Sequence, residues 1–94
     1  MSLTYTMRQV LATIAADAAA TDPEILRFYR GRSLDSIIDK LRLRHGPESE
    51  AAIRATLERL VALGLAVQDG DAWRSTAAAA EIVAAVRAKG TLRG

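Results

Sequence analysis

Apolar residues recur at helical spacing along most of the chain and switch to strand spacing once, near its third quarter. Met7, Val10, Leu11, Ile14 and Ala18 share one face of a helix predicted from about Thr6 to about Ala19, with Thr4 or Thr6 as its cap. Thr21-Asp22-Pro23-Glu24 then stops and restarts the chain, since Asp at an N-cap, Pro at the first helical position and Glu behind it form a helix-start signature. The stretch through Ile25, Leu26, Phe28 and Tyr29 to Gly31 reads as a short helix or a strand, with helix preferred. Phe28 is expected to point inward and Tyr29 to present its hydroxyl at the surface. Ser33 caps the next predicted helix, with Asp35 near its positive end and Leu34, Ile37, Ile38 and Leu41 as its apolar face. Leu41-Arg42-Leu43-Arg44 reads as its last turn, and His45-Gly46 as its end.

The longest amphipathic stretch follows. Pro47 opens it, either at the first helical position or through Ser49 as a later cap, and Ile53, Leu57, Leu60, Val61 and Leu63 form its apolar face. Gly64 ends it, because glycine takes positive φ without a Cβ penalty. Leu65 and Val67 alternate as in a half-buried strand, Asp69-Gly70 signals a turn, and Trp73 lies on the returning strand. A three-residue loop over 69–71 would pair Val67 with Trp73 on one face. That pairing favours Trp73 as a core plug over an exposed stacking contact. Ser75 or Thr76 then caps a final helix from Ala77 through Val86, closed by Lys89-Gly90, with 91–94 as a frayed tail.

Composition narrows the class. Ninety-four residues make one domain, 1–94, and Met1-Ser2-Leu3 could be residues left by cloning. Half the residues are apolar, but 19 of them are Ala, so the core rests on Leu, Ile, Val and four aromatics in a mainly helical fold. With no Cys, disulfides and thiolate metal sites are excluded. No apolar run approaches a membrane span and no secretory signal is apparent, so a cytoplasmic location follows by default.

Catalysis finds little support. There is one His, at an inter-helix turn where a capping or surface role is the simpler reading. Asp35 with Asp39, and Glu48 with Glu50, are pairs of the kind solvated helix faces produce constantly, so neither a metal, a cofactor nor an enzymatic activity is expected.

Charge says more through its distribution than its total of +2. Residues 27–45 carry Arg27, Arg30, Arg32, Lys40, Arg42 and Arg44 against Asp35 and Asp39, net +4, whereas 46–72 are net −3. The basic stretch suits either phosphate contacts or a solvated face paired with the neighbouring acids.

Residues 47–76 resemble the third helix and wing of the winged helix-turn-helix family. The resemblance is carried by Ile53, Leu60, the Gly64-Leu65 pair, Asp69-Gly70 at the wing tip and the Trp73-Arg74-Ser75-Thr76 exit. It implies a mainly α fold with a small β-hairpin, an extra segment between the first two helices, and a C-terminal helix. It also implies duplex DNA as partner, for a transcriptional regulator or a phage- or mobile-element accessory factor. By position, Ser49, Glu50, Arg54 and Arg59 would face the groove, and Arg30, Arg32, Lys40, Arg42 and Arg44 would flank it on the phosphates. The chain departs from the family in Glu48, Glu50 and Glu58, carboxylates that phosphates would repel, and at the wing tip in Asp69 and Asp71, where DNA-reading wings carry Arg or Lys. A winged helix used as a protein-interaction module is the alternative. The Ala-rich face of the last helix, over 77–88, points to a homodimer.

Overall fold

The computed structural model describes residues 3–15 and 29–92. Among these, the chain forms α1 (Tyr5–Ile14), β1 (Arg32–Ser33), α2 (Leu34–Lys40), α3 (Pro47–Ala62), β2 (Ala66–Asp69), β3 (Ala72–Ser75), a 3₁₀ turn (Ala77–Ala79) and α4 (Ala80–Leu92). The fold is mainly helical, with a small antiparallel sheet in the order β1-β3-β2. The expected helix restart at Asp22-Pro23 and the inward Phe28 lie outside the described residues.

The core forms where the apolar faces meet. α1 contributes Met7, Val10, Leu11 and Ile14, α2 contributes Ile37 and Ile38, and α3 contributes Ile53, Leu57 and Leu60. Leu65, Ala66, Trp73, Ala79 and Val83 close it from the hairpin and α4. Each fully buried Leu or Ile contributes about 1.5–3 kcal/mol relative to exposure. Val61, expected on this face, is exposed, because it lies about 100° round the helix axis from Leu60. α4 packs along α1, and α3 supports α2 on one side and β2 on the other.

Helix starts follow the sequence signals closely. The Thr4 hydroxyl accepts from the Met7 N–H at 3.1 Å, and Ser33 accepts from Ser36 at 3.2 Å. Pro47 takes the first position of α3, behind Gly46.

Helix ends depart from expectation three times. α2 stops at Lys40, four residues before the predicted last turn closes. Arg42 adopts φ 57°, its N–H donates to the Asp39 carbonyl at 3.1 Å, and the Leu43 N–H donates to the Ile38 carbonyl at 3.0 Å. That paired closure satisfies the last carbonyls and needs a left-handed residue, a role glycine fills at lower cost than Arg. α3 ends the same way on the expected Gly64, φ 77°, with the Leu65 N–H donating to the Leu60 carbonyl at 3.0 Å.

α1 ends at Ile14, short of Ala19, and the reason lies far along the chain. Ala15 turns into extended backbone, and the last α1 carbonyls are claimed by distant donors. The Tyr29 hydroxyl donates to the Ile14 carbonyl at 2.7 Å and the Ala15 carbonyl at 3.2 Å. Arg32 Nε donates to the Thr13 carbonyl at 2.9 Å, and Arg87 Nη2 to the Ala12 and Ala15 carbonyls at 3.3 Å each. α1 has no basic residue in its own last turn, so these two guanidiniums supply the positive charge its negative end favours. Tyr29 therefore turns its hydroxyl to a helix end rather than to solvent. The stretch 25–28, read as a short helix or a strand, lies outside the described residues.

The hairpin register also differs by one residue. Val67 lies opposite Arg74 and Gln68 opposite Trp73, leaving the two-residue loop Gly70-Asp71. Gly70 takes φ 63° at the first loop position, the conformation a type II′ turn requires, so Asp69 and Ala72 can pair directly. The slip places Gln68, rather than Val67, on the Trp73 face. Trp73 itself is buried at 5% exposure, the expected core plug.

The final helix is longer than expected. Thr76 donates its hydroxyl to the Gly64 carbonyl at 2.7 Å instead of capping, a 3₁₀ turn intervenes, and α4 continues past Lys89-Gly90 to Leu92. Glycine inside a helix costs about 1 kcal/mol but does not by itself stop it. No helix of the described residues is long and apolar enough to cross a membrane.

Candidate functional site

Two surfaces concentrate the polar residues, and both adjoin α3. The first is the turn between α2 and α3. Because α2 closes early on Arg42, residues 43–45 run as irregular backbone, and Lys40, Arg42, Arg44 and His45 are all exposed beside the N-terminal end of α3. Among the described residues the ion pairs within 4 Å are those of Asp69, whose Oδ2 meets Arg30 Nε at 3.7 Å and Arg74 Nη1 at 3.5 Å. Lys40, Arg42 and Arg44 therefore make no ion pair within 4 Å among the described residues.

The second surface is an open groove of about 450 Å³ between α3, the start of α2 and the hairpin. Asp35 enters it from α2, Glu50 and Arg54 from α3, and Gln68, Asp71 and Trp73 from the hairpin. Three carboxylates face one guanidinium there. Trp73 forms the floor, and the slip in register sets Gln68 beside it.

The residues expected to meet a nucleic acid divide unevenly between these surfaces. Lys40, Arg42 and Arg44 come together on the turn, and Glu50 with Arg54 come together in the groove. Arg59 lies five positions beyond Arg54, about 140° round the helix, so the two point from different sides of α3. Ser49 is half-buried in the first turn of α3. Arg30 is exposed but leans on Asp69. Arg32 is the clearest departure, because its guanidinium is bound to the Thr13 carbonyl and, at 3.4 Å, to Ser36 Oγ, which commits it to holding α1 and α2 together. The outward centre of α3 is filled by Ala51, Ala55 and Ala62 with Glu48, Glu58 and Arg59, all exposed.

Sequence reasoning missed the groove. Asp35 reads from the sequence as a helix-end charge or a member of a solvated pair with Asp39, and Trp73 as a core plug in preference to a stacking contact, and nothing in their spacing joins them until the two-residue loop is known. Among the described residues no three His, Asp or Glu side chains converge as metal ligands would. The chain matches no family model, no curated protein and no solved structure in the comparisons made.

Proposed function

We propose that the chain is a winged helix-turn-helix domain that binds duplex DNA through the α2–α3 turn and the adjoining end of α3. The order helix, small strand, helix, tight turn, helix and hairpin supports the fold reading. The observation that carries the functional reading is the unpaired cluster Lys40, Arg42 and Arg44 at the leading end of α3. A duplex carries a phosphate charge every ~1.7 Å, so such a cluster displaces counterions on contact. Arg54 supplies sequence preference from the groove side of α3, since a guanidinium can bond guanine through two donors. Arg59, on the other side, meets backbone. Glu48, Glu50 and Asp71 repel phosphates and keep the hairpin back, so the domain docks on its basic turn rather than by deep insertion of α3.

A protein-interaction role is the second reading, favoured by Arg30 and Arg74 being spent on Asp69 and by the acids of the groove. Titration of labelled random duplex by fluorescence anisotropy at two salt concentrations separates them. The DNA reading expects affinity that falls steeply with salt. Binding no tighter than ~10⁻⁴ M with no salt dependence would support the protein reading instead.

The same proposal includes a homodimer. Ala77, Ala78, Ala84, Ala85 and Ala88 are exposed, while Val83 and the half-buried Ile82 already serve the protomer's own core. An exposed small-residue face allows a second helix to approach closely.

A further inference from the structure

We propose that Arg42 anchors the duplex backbone on the basic turn, and that the domain gives up stability to hold a guanidinium there; this rests on the DNA reading above and names the contact on which it turns. α2 and α3 end in the same way. The N–H of a left-handed residue donates to the carbonyl three positions back, Arg42 to Asp39 at 3.1 Å and Gly64 to Val61 at 3.0 Å. The next N–H donates five positions back, Leu43 to Ile38 and Leu65 to Leu60, both at 3.0 Å. α3 fills the left-handed position with Gly64, whereas α2 fills it with Arg42 at φ 57°, the one non-glycine with positive φ among the described residues. That conformation presses a Cβ against the main chain, and the side chains that tolerate it best are short and polar, as Asn and Asp are.

Nothing among the described residues accounts for an Arg at that position. Its side chain is exposed, so core packing does not hold it. It makes no ion pair and no side-chain hydrogen bond among the described residues. Strain kept at a residue whose side chain serves no contact of its own domain points to a contact outside it. The neighbours set the sign of that contact. Lys40 and Arg44 are exposed on either side, and three like charges within five residues repel one another until an anion lies across them. A phosphodiester suits the position, because a guanidinium fork bonds two of its oxygens at once. The backbone of Arg42 is pinned by the two closing hydrogen bonds, whereas Arg44 lies on irregular backbone. Arg42 therefore loses less freedom on meeting a phosphate. Such a contact carries no base preference, so Arg42 sets the position of the domain on the duplex and leaves sequence preference to α3.

The test replaces each Arg with Gly in the full chain and reads stability and binding separately. Arg42→Gly relieves the left-handed strain, so its melting temperature by circular dichroism should rise by about 2–5 °C. Its affinity for a labelled random duplex at about 0.1 M salt should fall roughly tenfold, with a salt slope shallower by about one unit. Arg44→Gly removes the same charge where the backbone asks for no glycine. Its melting temperature should not rise, and its loss of affinity should be the smaller of the two. A melting temperature of Arg42→Gly at or below that of the unaltered chain would overturn the proposal, because the left-handed residue would then hold no strain. Unchanged DNA binding by Arg42→Gly, or a loss no larger than that of Arg44→Gly, would overturn it too, since Arg42 would then be one charge among several. In each of those outcomes the DNA reading still stands on the salt-dependent affinity of the unaltered chain. Absence of that affinity overturns both.

Discussion

Gly31 rests directly against the main chain of Trp73. A Cβ at position 31 would collide with the Trp73 carbonyl, and the backbone there has φ 109°, a conformation other residues rarely adopt. This contact lets β1 lie close enough to β3 for Arg32 to pair with Trp73, and it brings Ser33 and the start of α2 to the hairpin. The groove depends on that approach.

Gly31→Ala should therefore destabilise the domain by roughly 2 kcal/mol or more, combining backbone strain with a clash that side-chain rotation cannot relieve. Gly46→Ala is the control. Its Cβ would meet nothing within 4 Å, so its cost should stay within about 1 kcal/mol. Urea unfolding followed by circular dichroism measures both, and equal midpoints would contradict the close approach.

Tyr29→Phe removes the hydroxyl that closes α1 and should cost about 1 kcal/mol. A pH effect accompanies it. Burial raises the Tyr29 pKa above 10.0, opposed by the Arg32 and Arg87 guanidiniums. The unfolded chain then loses this proton before the folded one does. The contribution is complete below the unfolded tyrosine pKa and is lost as pH rises through the folded value. The wild type should lose stability on the alkaline side of pH 10 more steeply than Tyr29→Phe, and parallel profiles in urea titrations would refute this.

Ile53→Asp places a carboxylate at a position 2% exposed in the middle of α3, with no partner among the core residues around it. The loss should exceed about 4 kcal/mol, enough to unfold a domain of this size. A native melting curve by circular dichroism would mean that the apolar face of α3 is misassigned.

What could be read from the chain was what local spacing controls. The apolar faces of α1 and α3, the cap at Ser33, Pro47 at the first position of α3 and the stop at Gly64 all rest on neighbours within one or two turns. The end of α1 does not. Its carbonyls are satisfied by Tyr29, Arg32 and Arg87, and the last of these reaches Ala12 from 75 residues away. The hairpin register turned on a single dihedral at Gly70, and an error of one residue exchanged Val67 for Gln68 beside Trp73. The early stop of α2 hung on Arg42 accepting a left-handed conformation usually left to glycine. The basic turn was visible as a run of charges, while the groove needed three elements and the correct register.

The dimer proposal is tested by sedimentation at micromolar concentration. The account expects a species of about twice the 10.1 kDa chain mass, converted to monomer by Ala84→Glu and Ala85→Glu, which put charge on the exposed face of α4. A clean monomer of the unaltered chain would sink the proposal.

Anisotropy titration of one labelled duplex with three proteins tests the central claim most directly. These are the unaltered chain, an Arg42→Ala/Arg44→Ala double variant and Glu50→Gln. The account expects the double variant to bind more weakly on any sequence, with a salt slope shallower by up to about two units. Glu50→Gln should bind more tightly, because it removes a carboxylate that faces phosphates. Unchanged binding by the double variant, or weaker DNA binding by Glu50→Gln, would contradict docking on the basic turn.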